Sequence, residues 1–411
     1  MPTPPLTPLP DKTLTALSGL YEQIDFLLHD RLIEAARGGY DALRCEDLIA
    51  QLNGEVSLLK RTMQTTQTAT ARQAYLTGAR NAADRIQRQG IIPAALNTLP
   101  VVPLASLAAD MAGQTVPVVN FVLRETNDWL RKLGSGAIAK SLGIGESAYA
   151  TGKAIREGAL LQIRNGVPIQ ELAQDINNTV GVKYRDGSIH SLQAYGQMAA
   201  RTGIIRSNAA GHTAEMQTSG IHVVMIPLNG SICYVCAPYE GTYWALDAEG
   251  EAMGYPPFSD FADGISHPNC THLNVSPVVF PDPETDNIPG EELLGASNSE
   301  LMAQYKETKP ELFAASKHGF ANASQYERYK RDVGEAKGIP DSDLRGPRYR
   351  YSGIESRRLA ATADCLQTPG LSYSDSMEKQ TRAFMASRDY GQQRPPITPA
   401  AQQRIADAAN R

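Results

Sequence analysis

The chain has 411 residues, of which 42% are hydrophobic and 20% are charged, and these values predict a globular protein of two or three domains. The net charge of −5 argues against a protein whose whole surface binds nucleic acid, although it is compatible with a local basic face. No apolar run reaches the ~18 residues that span a bilayer, so we expect no contact with a membrane.

The N-terminal segment, MPTPPLTPLPDK, has five prolines among its first ten residues, which predicts an extended arm over 1–11. It lacks the basic and hydrophobic regions of a signal peptide, so we expect synthesis in the cytoplasm. Residues 12–90 repeat apolar side chains three and four apart, which predicts helices with a break at Gly38 and Gly39. These helices either pack against each other or offer a surface to an assembly partner. Residues 91–127 are richer in Pro, Thr and Val, and no element is assigned to 91–117, where there is no clear period.

Helical patterns return over 118–220, and the β-branched run at 221–226 predicts a strand. A second strand is predicted at Thr242–Trp244, where it forms a small hairpin with the first, and a third at Val275–Phe280. Residues 291–337 are again helical in pattern. The last segment is rich in Ser, Gln, Arg and Pro, which is typical of a tail or of a weakly packed helix pair.

Basic and aromatic residues alternate in the C-terminal part of the chain. The basic members are Arg328, Lys330, Arg331, Arg345, Arg348 and Arg350, and the aromatic members are Tyr326, Tyr329, Tyr349 and Tyr351. Such a run is usually a solvated face. The same pattern is also compatible with contact to nucleic acid, through phosphates and base stacking.

A cluster of cysteines and histidines is the most informative feature of the sequence, because three of the five cysteines and two of the seven histidines lie within forty residues. Cys233-x-x-Cys236 is followed thirty-one residues later by His267-x-x-Cys270-x-His272. Two such pairs can place four thiolate and imidazole ligands around a tetrahedral Zn²⁺ ion. The turn formed by each pair favours Cys233, Cys236, His267 and Cys270 as ligands. His272 can instead replace His267, or support the ligands from outside.

Other interpretations of this cluster are buried thiols with a core histidine, or a redox-active C-x-x-C pair. A redox pair usually opens a helix in a βαβ unit, and no such unit is predicted here. A catalytic zinc needs an open coordination position, and the motifs HExxH and HxE…PCxxC are absent. An HNH-type nuclease would use His267 or His272, but no Asp-His or His-His pair precedes the strand. We therefore expect a structural metal and no enzyme. Because the region has few apolar residues for its length, we also expect metal bonds to replace a core there.

Residues 182–273 resemble the minor head proteins of tailed phages. The similar features are the helix with Arg201 and Thr202, the turn at Gly220 and Ile221, the segment CYVCAPYEGTYWAL with Gly241, and the closing segment SHPNCTH. Two related families share these features, the Mu F-like head morphogenesis proteins and the phage minor capsid protein 2 group. The N-terminal helices and SQYERYKRDV are more similar to the second group. The chain departs from the family pattern at Gly203, Asn229, Gly230 and Thr271.

This resemblance implies a phage minor capsid (head morphogenesis) protein, which is a structural virion component with a structural zinc site. It implies a location in the head interior or portal region, after assembly in the host cytoplasm. The implied partners are the portal protein and/or the major capsid protein, with packaged DNA as a further candidate. The alternative functions are a zinc-dependent HNH-like nuclease and a nucleic-acid-binding module.

The predicted fold class is mainly α, with a helical N-terminal part, a small α+β zinc-binding central region, and an extended or partly disordered C-terminal tail. The predicted domains are a proline-rich arm at 1–11, a helical region at 12–117, a head-morphogenesis-like domain with the metal loop at 118–284, a helical and basic region at 285–365, and a tail at 366–411.

Overall fold

The computed structural model describes residues 11–38, 42–94, 102–135, 169–184, 189–228, 233–267, 270, 272–317, 323–335 and 354–387. The proline-rich arm up to residue 10 and the last part of the predicted tail, 388–411, lie outside the described residues.

Helices dominate the described part of the chain, which confirms the predicted mainly α fold. The α-helices are α1 (Asp11–Gly38), α2 (Ala42–Arg88), α3 (Val102–Gly134), α4 (Ile169–Val180), α5 (Leu192–Thr218), α6 (Ala248–Ala252), α7 (Glu291–Leu294), α8 (Asn298–Thr308), α9 (Pro310–Lys317), α10 (Ala323–Tyr329), α11 (Ile354–Gln367) and α12 (Tyr373–Ser387). The strands are β1 (Val182–Lys183), β2 (Ile189–His190), β3 (Val223–Met225), β4 (Tyr243–Ala245) and β5 (Ser276–Val278). Among the described helices, none combines the length and the apolar character that a membrane span requires.

The N-terminal helices agree with the apolar periodicity of the sequence. Helices α1 and α2 are separate, and α1 ends at Gly38, where the break was predicted. Helix α3 covers much of the segment to which no element was assigned, and it continues through Pro117. Met111, Val119 and Val122 are buried on one face of α3, at helical spacing. This spacing is hard to recognise in the sequence, because the segment is also rich in Pro, Thr and Val.

Helix α5 is the central element of the helical bundle and contacts α1, α2 and α3. Its contact with α2 is so close that the two backbones almost touch. A Cβ atom on Gly78 of α2 would lie 1.8 Å from the carbonyl oxygen of Asn208, and one on Gly211 of α5 would lie 1.9 Å from the carbonyl oxygen of Tyr75. Glycine is therefore required on both sides of this contact.

A buried polar network joins α1, α4 and α11. His29 Nε2 lies 2.9 Å from Asn177 Oδ1, and the hydroxyl of Thr362 donates to the same oxygen at 3.0 Å. The Arg358 guanidinium donates to Asp25 Oδ1 at 3.4 Å. All five side chains are almost fully buried, so the network fixes the position of α11 on the N-terminal bundle.

The C-terminal helices share one apolar core with α1, α2, α3 and α4. Cys365 of α11 and Tyr373 of α12 are both fully buried in it, and the Tyr373 ring stacks on His29 with 4.0 Å between ring centroids. Within the predicted tail, residues 373–387 therefore form a helix that is packed on the bundle.

Three strands form a small antiparallel sheet in the order β4–β3–β5, and each lies within or next to a predicted strand. Val224 of β3 is the partner of Trp244 on one side and of Pro277 on the other. The outer edge of β4 is covered, because the N–H groups of Tyr243 and Ala245 donate to the carbonyl oxygens of Asn287 and Pro256. Strands β1 and β2 form a separate two-stranded ladder before α5, and the turn between them lies outside the described residues.

Candidate metal centre

The first cysteine pair lies in a tight turn between β3 and β4. The N–H of Ala237 donates to the carbonyl oxygen of Cys233 at 2.9 Å, which closes the C-x-x-C segment into a single turn. A 3₁₀ turn at Ala237–Tyr239 follows, and Gly241 then adopts the left-handed conformation with φ of 80°. This backbone places the sulfur atoms of Cys233 and Cys236 within 4.8 Å of each other.

The second pair lies in the loop between a π-helical turn at Asp260–Ile265 and β5. The N–H of Ser266 donates to the carbonyl oxygen of Phe261 at 2.8 Å, so the loop begins at a fixed position. The N–H of Cys270 donates to the carbonyl oxygen of His267 at 3.0 Å, which joins the two ends of the H-x-x-C segment.

The five predicted ligands come together in two overlapping groups. Cys233, Cys236 and His267 form one, and Cys236, Cys270 and His272 form the other, with donor atoms within 4.8 Å in each. His267 Nε2 is 3.2 Å from Cys233 Sγ and 3.3 Å from Cys236 Sγ. His272 Nδ1 is 3.7 Å from Cys270 Sγ. Cys236 belongs to both groups and is the centre of the cluster.

The two groups differ in their exposure to solvent. Cys236, Cys270 and His272 are 1%, 2% and 1% exposed, whereas Cys233 and His267 are half-buried. The cluster therefore has a buried side and a side that is open to water.

Glu240 adds a carboxylate to the buried side of the cluster. The His272 Nε2–H donates to Glu240 Oε1 at 2.8 Å, while His272 Nδ1 faces Cys270. Glu240 was not among the predicted site residues, because a single glutamate four residues after Cys236 has no spacing that marks it as part of a site. Its position directly before Gly241, in the segment CYVCAPYEG, was the only signal available.

Contacts between the donors change their pKa values. Hydrogen bonding to Cys236 lowers the pKa of the Cys233 and Cys270 thiols, and the same contacts raise the pKa of Cys236. Burial alone would lower the pKa of His272, but its contacts with Cys270 and Glu240 raise it to about 9. The contacts therefore favour the thiolate form of Cys233 and Cys270, which is the form of cysteine that binds metal ions, and the thiol form of Cys236. Three sulfur and two imidazole donors at these distances can hold a metal ion.

An aromatic core supports the metal loop, contrary to the expectation that metal bonds replace a core there. The rings of Tyr239, Trp244 and Phe261 pack together with centroids 5.6 to 6.2 Å apart. Ile86 of α2 belongs to the same core as Cys236 and Cys270. The expectation was wrong because part of this core comes from a helix far from the loop in sequence.

Comparison with known proteins identifies the family that this region resembles. Residues 166–309 match the family model of phage minor capsid protein 2. The match contains α4, α5, the three-stranded sheet and all five metal-ligand candidates, and it confirms the resemblance to phage minor capsid proteins that the sequence motifs indicated. No curated protein and no solved structure gives a significant match.

Three other residues of the family pattern lie on α5 or next to it. Arg201 is exposed, and the Thr202 hydroxyl donates to the carbonyl oxygen of Met198 at 2.8 Å within the same helix. Gly203 is one of the positions at which the sequence departs from the expected pattern, and a Cβ there would lie 2.6 Å from the Met111 side chain of α3. The departure at Gly203 therefore accompanies close packing of α3 on α5. The departures at residues 229, 230 and 271 lie outside the described residues.

The predicted basic face is described only in part. Lys330 is close to Glu327, with 3.7 Å between the charged atoms, and lies 5.2 Å from the ring centroid of Tyr326. Arg328 is exposed. The arginines and tyrosines predicted between 345 and 351 lie outside the described residues. The described residues thus include an internal ion pair within the basic run.

Proposed function

We propose that this protein is a structural component of a phage head, attached to the portal protein and/or the major capsid protein at the inner surface of the head. The match of residues 166–309 to phage minor capsid protein 2 carries this proposal. On this proposal, the chain joins the head during assembly in the host cytoplasm and then stays in the virion. Packaged DNA is a further candidate partner, because the protein would face the head interior.

We also propose that the cysteine–histidine cluster binds one Zn²⁺ ion with a structural role. Thiolate and imidazole are the ligands that Zn²⁺ prefers in tetrahedral structural sites, at ~2.0–2.3 Å. The two donor groups share Cys236 and together offer five donors, one more than a tetrahedral ion needs, so no coordination position has to be left to water. A site of this kind holds its loops together and does not activate a substrate, so we expect no catalytic turnover.

The contact with the head is expected to include the N-terminal helices. Helix α2 exposes two large apolar side chains, Leu43 at 81% and Leu58 at 58%, although most of the apolar residues of α1 and α2 are buried inside the bundle. These two side chains lie fifteen residues apart on α2, so each is a separate apolar contact point and not part of one patch.

Cryo-electron microscopy and mass spectrometry of purified virions test the structural role. The chain is expected at low copy number in intact particles, with density next to the portal or the inner shell. Particles that assemble normally and lack the chain would exclude this role.

Metal content and nuclease activity test the zinc role with the full-length protein. Elemental analysis is expected to give one zinc per chain, and Cys236→Ser is expected to release it, because Cys236 belongs to both donor groups. Incubation with single- and double-stranded DNA and Mg²⁺, Mn²⁺ or Zn²⁺ is expected to give no cleavage. Cleavage that is abolished by His267→Ala or His272→Ala would support the HNH-like nuclease instead.

A further inference from the structure

The metal cluster offers five donors, of which three are buried and two are half-buried. The buried donors are Cys236, Cys270 and His272, whereas Cys233 and His267 are half-buried. A tetrahedral Zn²⁺ ion takes four ligands, so one of the five is in excess.

His272 has the arrangement of a metal ligand supported by a carboxylate. Its Nε2–H donates to Glu240 at 2.8 Å, and this contact directs Nδ1 towards Cys270 Sγ, 3.7 Å away. Metal-bound histidines usually donate their second ring nitrogen to a carboxylate or carbonyl group, which fixes the ring and strengthens the ligand. The Glu240 side chain is only 13% exposed, so its contact with His272 is shielded from water.

The two half-buried donors lie side by side. His267 Nε2 is 3.2 Å from Cys233 Sγ, and both donor atoms are within 4.8 Å of Cys236 Sγ. The other three donors are buried, so the donor that a four-coordinate ion leaves out is one of these two.

We propose, on the basis of the zinc site argued above, that Cys236, Cys270 and His272 are obligatory ligands, and that Cys233 and His267 are interchangeable in the fourth position. Glu240 is a positioning residue that holds His272 in the coordinating orientation. Whichever of Cys233 and His267 is not bound can replace the other, so water does not take the fourth position. We expect this replacement to slow the loss of the metal ion.

Zinc affinity of single and double variants of the full chain tests the interchange. Competition with a chromophoric chelator is expected to show that Cys233→Ser and His267→Ala each weaken binding by less than about tenfold. The double variant is expected to weaken it by far more than the product of the two single effects, since the reserve donor is then gone. A single variant that loses as much affinity as the double variant overturns the interchange.

Cobalt substitution tests which donors are bound, through a signal independent of affinity. Sulfur-to-cobalt charge-transfer absorption grows with the number of bound thiolates. His267→Ala is expected to keep three thiolates, and Cys233→Ser to keep two, so the first variant absorbs more strongly per bound cobalt. Equal absorption by the two variants overturns the assignment.

The role of Glu240 is tested by Glu240→Gln, with Glu249→Gln as a matched control. Glu249 also contacts a histidine, His222, at 3.4 Å, but that pair has no part in the cluster. Glu240→Gln is expected to lower zinc affinity about 10- to 100-fold, as for other carboxylates behind metal-bound histidines, and Glu249→Gln to leave it unchanged. Circular dichroism should show the helical content of both variants intact.

The two levels of the proposal fail in different ways. Wild-type protein that binds no zinc overturns the zinc role itself. Wild-type protein that binds zinc tightly, together with a Glu240→Gln variant of equal affinity, overturns only the positioning role of Glu240.

Discussion

His212 of α5 donates its Nε2–H to the carbonyl oxygen of Val275 at 2.8 Å. Arg85 of α2 donates to the same oxygen at 3.0 Å. Val275 lies three residues after His272 and immediately before β5. Helices α2 and α5 therefore both hold the end of the metal loop. The Val275 carbonyl group is thus a hydrogen-bonded link between the metal loop and the helices, in addition to the apolar contacts of Ile86.

Protonation of His212 is expected to lower stability as the pH falls. Burial, with a smaller contribution from Arg85, lowers the pKa of His212 from 6.5 to about 4. The unfolded chain therefore binds this proton below about pH 6.5, whereas the folded chain binds it only near pH 4, and stability is lost as the pH falls between these values. The loss between about pH 7 and pH 5 should be on the order of 2 kcal/mol.

Urea unfolding of wild type and His212→Gln, with a chelator present in both, measures this contribution. The glutamine variant should lose less stability over the same pH interval. His190→Gln, at an exposed position, is the control and should follow the wild type. Parallel pH profiles for His212→Gln and wild type would contradict the prediction.

Removal of zinc is expected to loosen the metal loop and leave the helical bundle folded. The bundle has its own apolar core, and the loop is attached to it at Val275. Hydrogen exchange after chelation should therefore accelerate around residues 233–240 and 266–274, while α1 and the first half of α2 stay protected. Loss of protection throughout the chain would show that the metal supports the whole fold.

Much of the fold follows from periodicity, and the exceptions have physical causes. The spacing of apolar residues predicted α1 and α2, whose apolar stripes are buried, and short runs of β-branched and aromatic residues predicted the three strands of the sheet. The first half of helix α3 was not predicted, because Pro117 and the β-branched residues around it are poor helix formers that the packing against α5 overrides.

Only the metal-binding donors of the candidate site were predictable, because only they have a recognisable spacing in the sequence. The five donors were found from the C-x-x-C and H-x-x-C-x-H pairs, and the structure brings all five together. Glu240 and the contribution of Ile86 to the core were not predictable, since both depend on contacts between distant parts of the chain. The composition of the loop region alone therefore did not predict the apolar core that packs around the metal loop.

Gly78→Ala is expected to destabilise the protein strongly, because a Cβ there would overlap the carbonyl oxygen of Asn208. The backbones of α2 and α5 would have to separate, at a cost of about 3 kcal/mol or more. Gly54→Ala is the matched control on the same helix, since a Cβ at Gly54 meets nothing within 4 Å. It should raise stability by about 0.5–1 kcal/mol through helix propensity. Urea unfolding of both variants should give shifts of opposite sign, and shifts of the same sign would contradict the close contact.

The pair formed by Arg358 and Asp25 offers a test of how the C-terminal helices are held. Both side chains are 1% exposed, and Arg358 Nη2 lies 3.4 Å from Asp25 Oδ1 and 3.4 Å from His29 Nε2. Arg358→Met keeps the apolar stem and leaves the Asp25 carboxylate buried without its cation, which should cost about 3–5 kcal/mol. Arg357→Ala is the control on the same helix. Arg357 is half-buried and lies 4.6 Å from the ring centroid of Phe384, so its loss should cost about 1 kcal/mol or less.

The double variant Asp25→Asn with Arg358→Met separates the buried charge from the lost packing. If the cost of Arg358→Met comes from the uncompensated carboxylate, the added asparagine should recover most of the lost stability, because no charge is then left in the core. Urea unfolding gives the free energies, and limited proteolysis should show α11 and α12 released first in Arg358→Met and protected again in the double variant. A double variant that is no more stable than Arg358→Met would mean that Arg358 acts through packing alone, and that the C-terminal helices are held by their apolar contacts with α1 and α4.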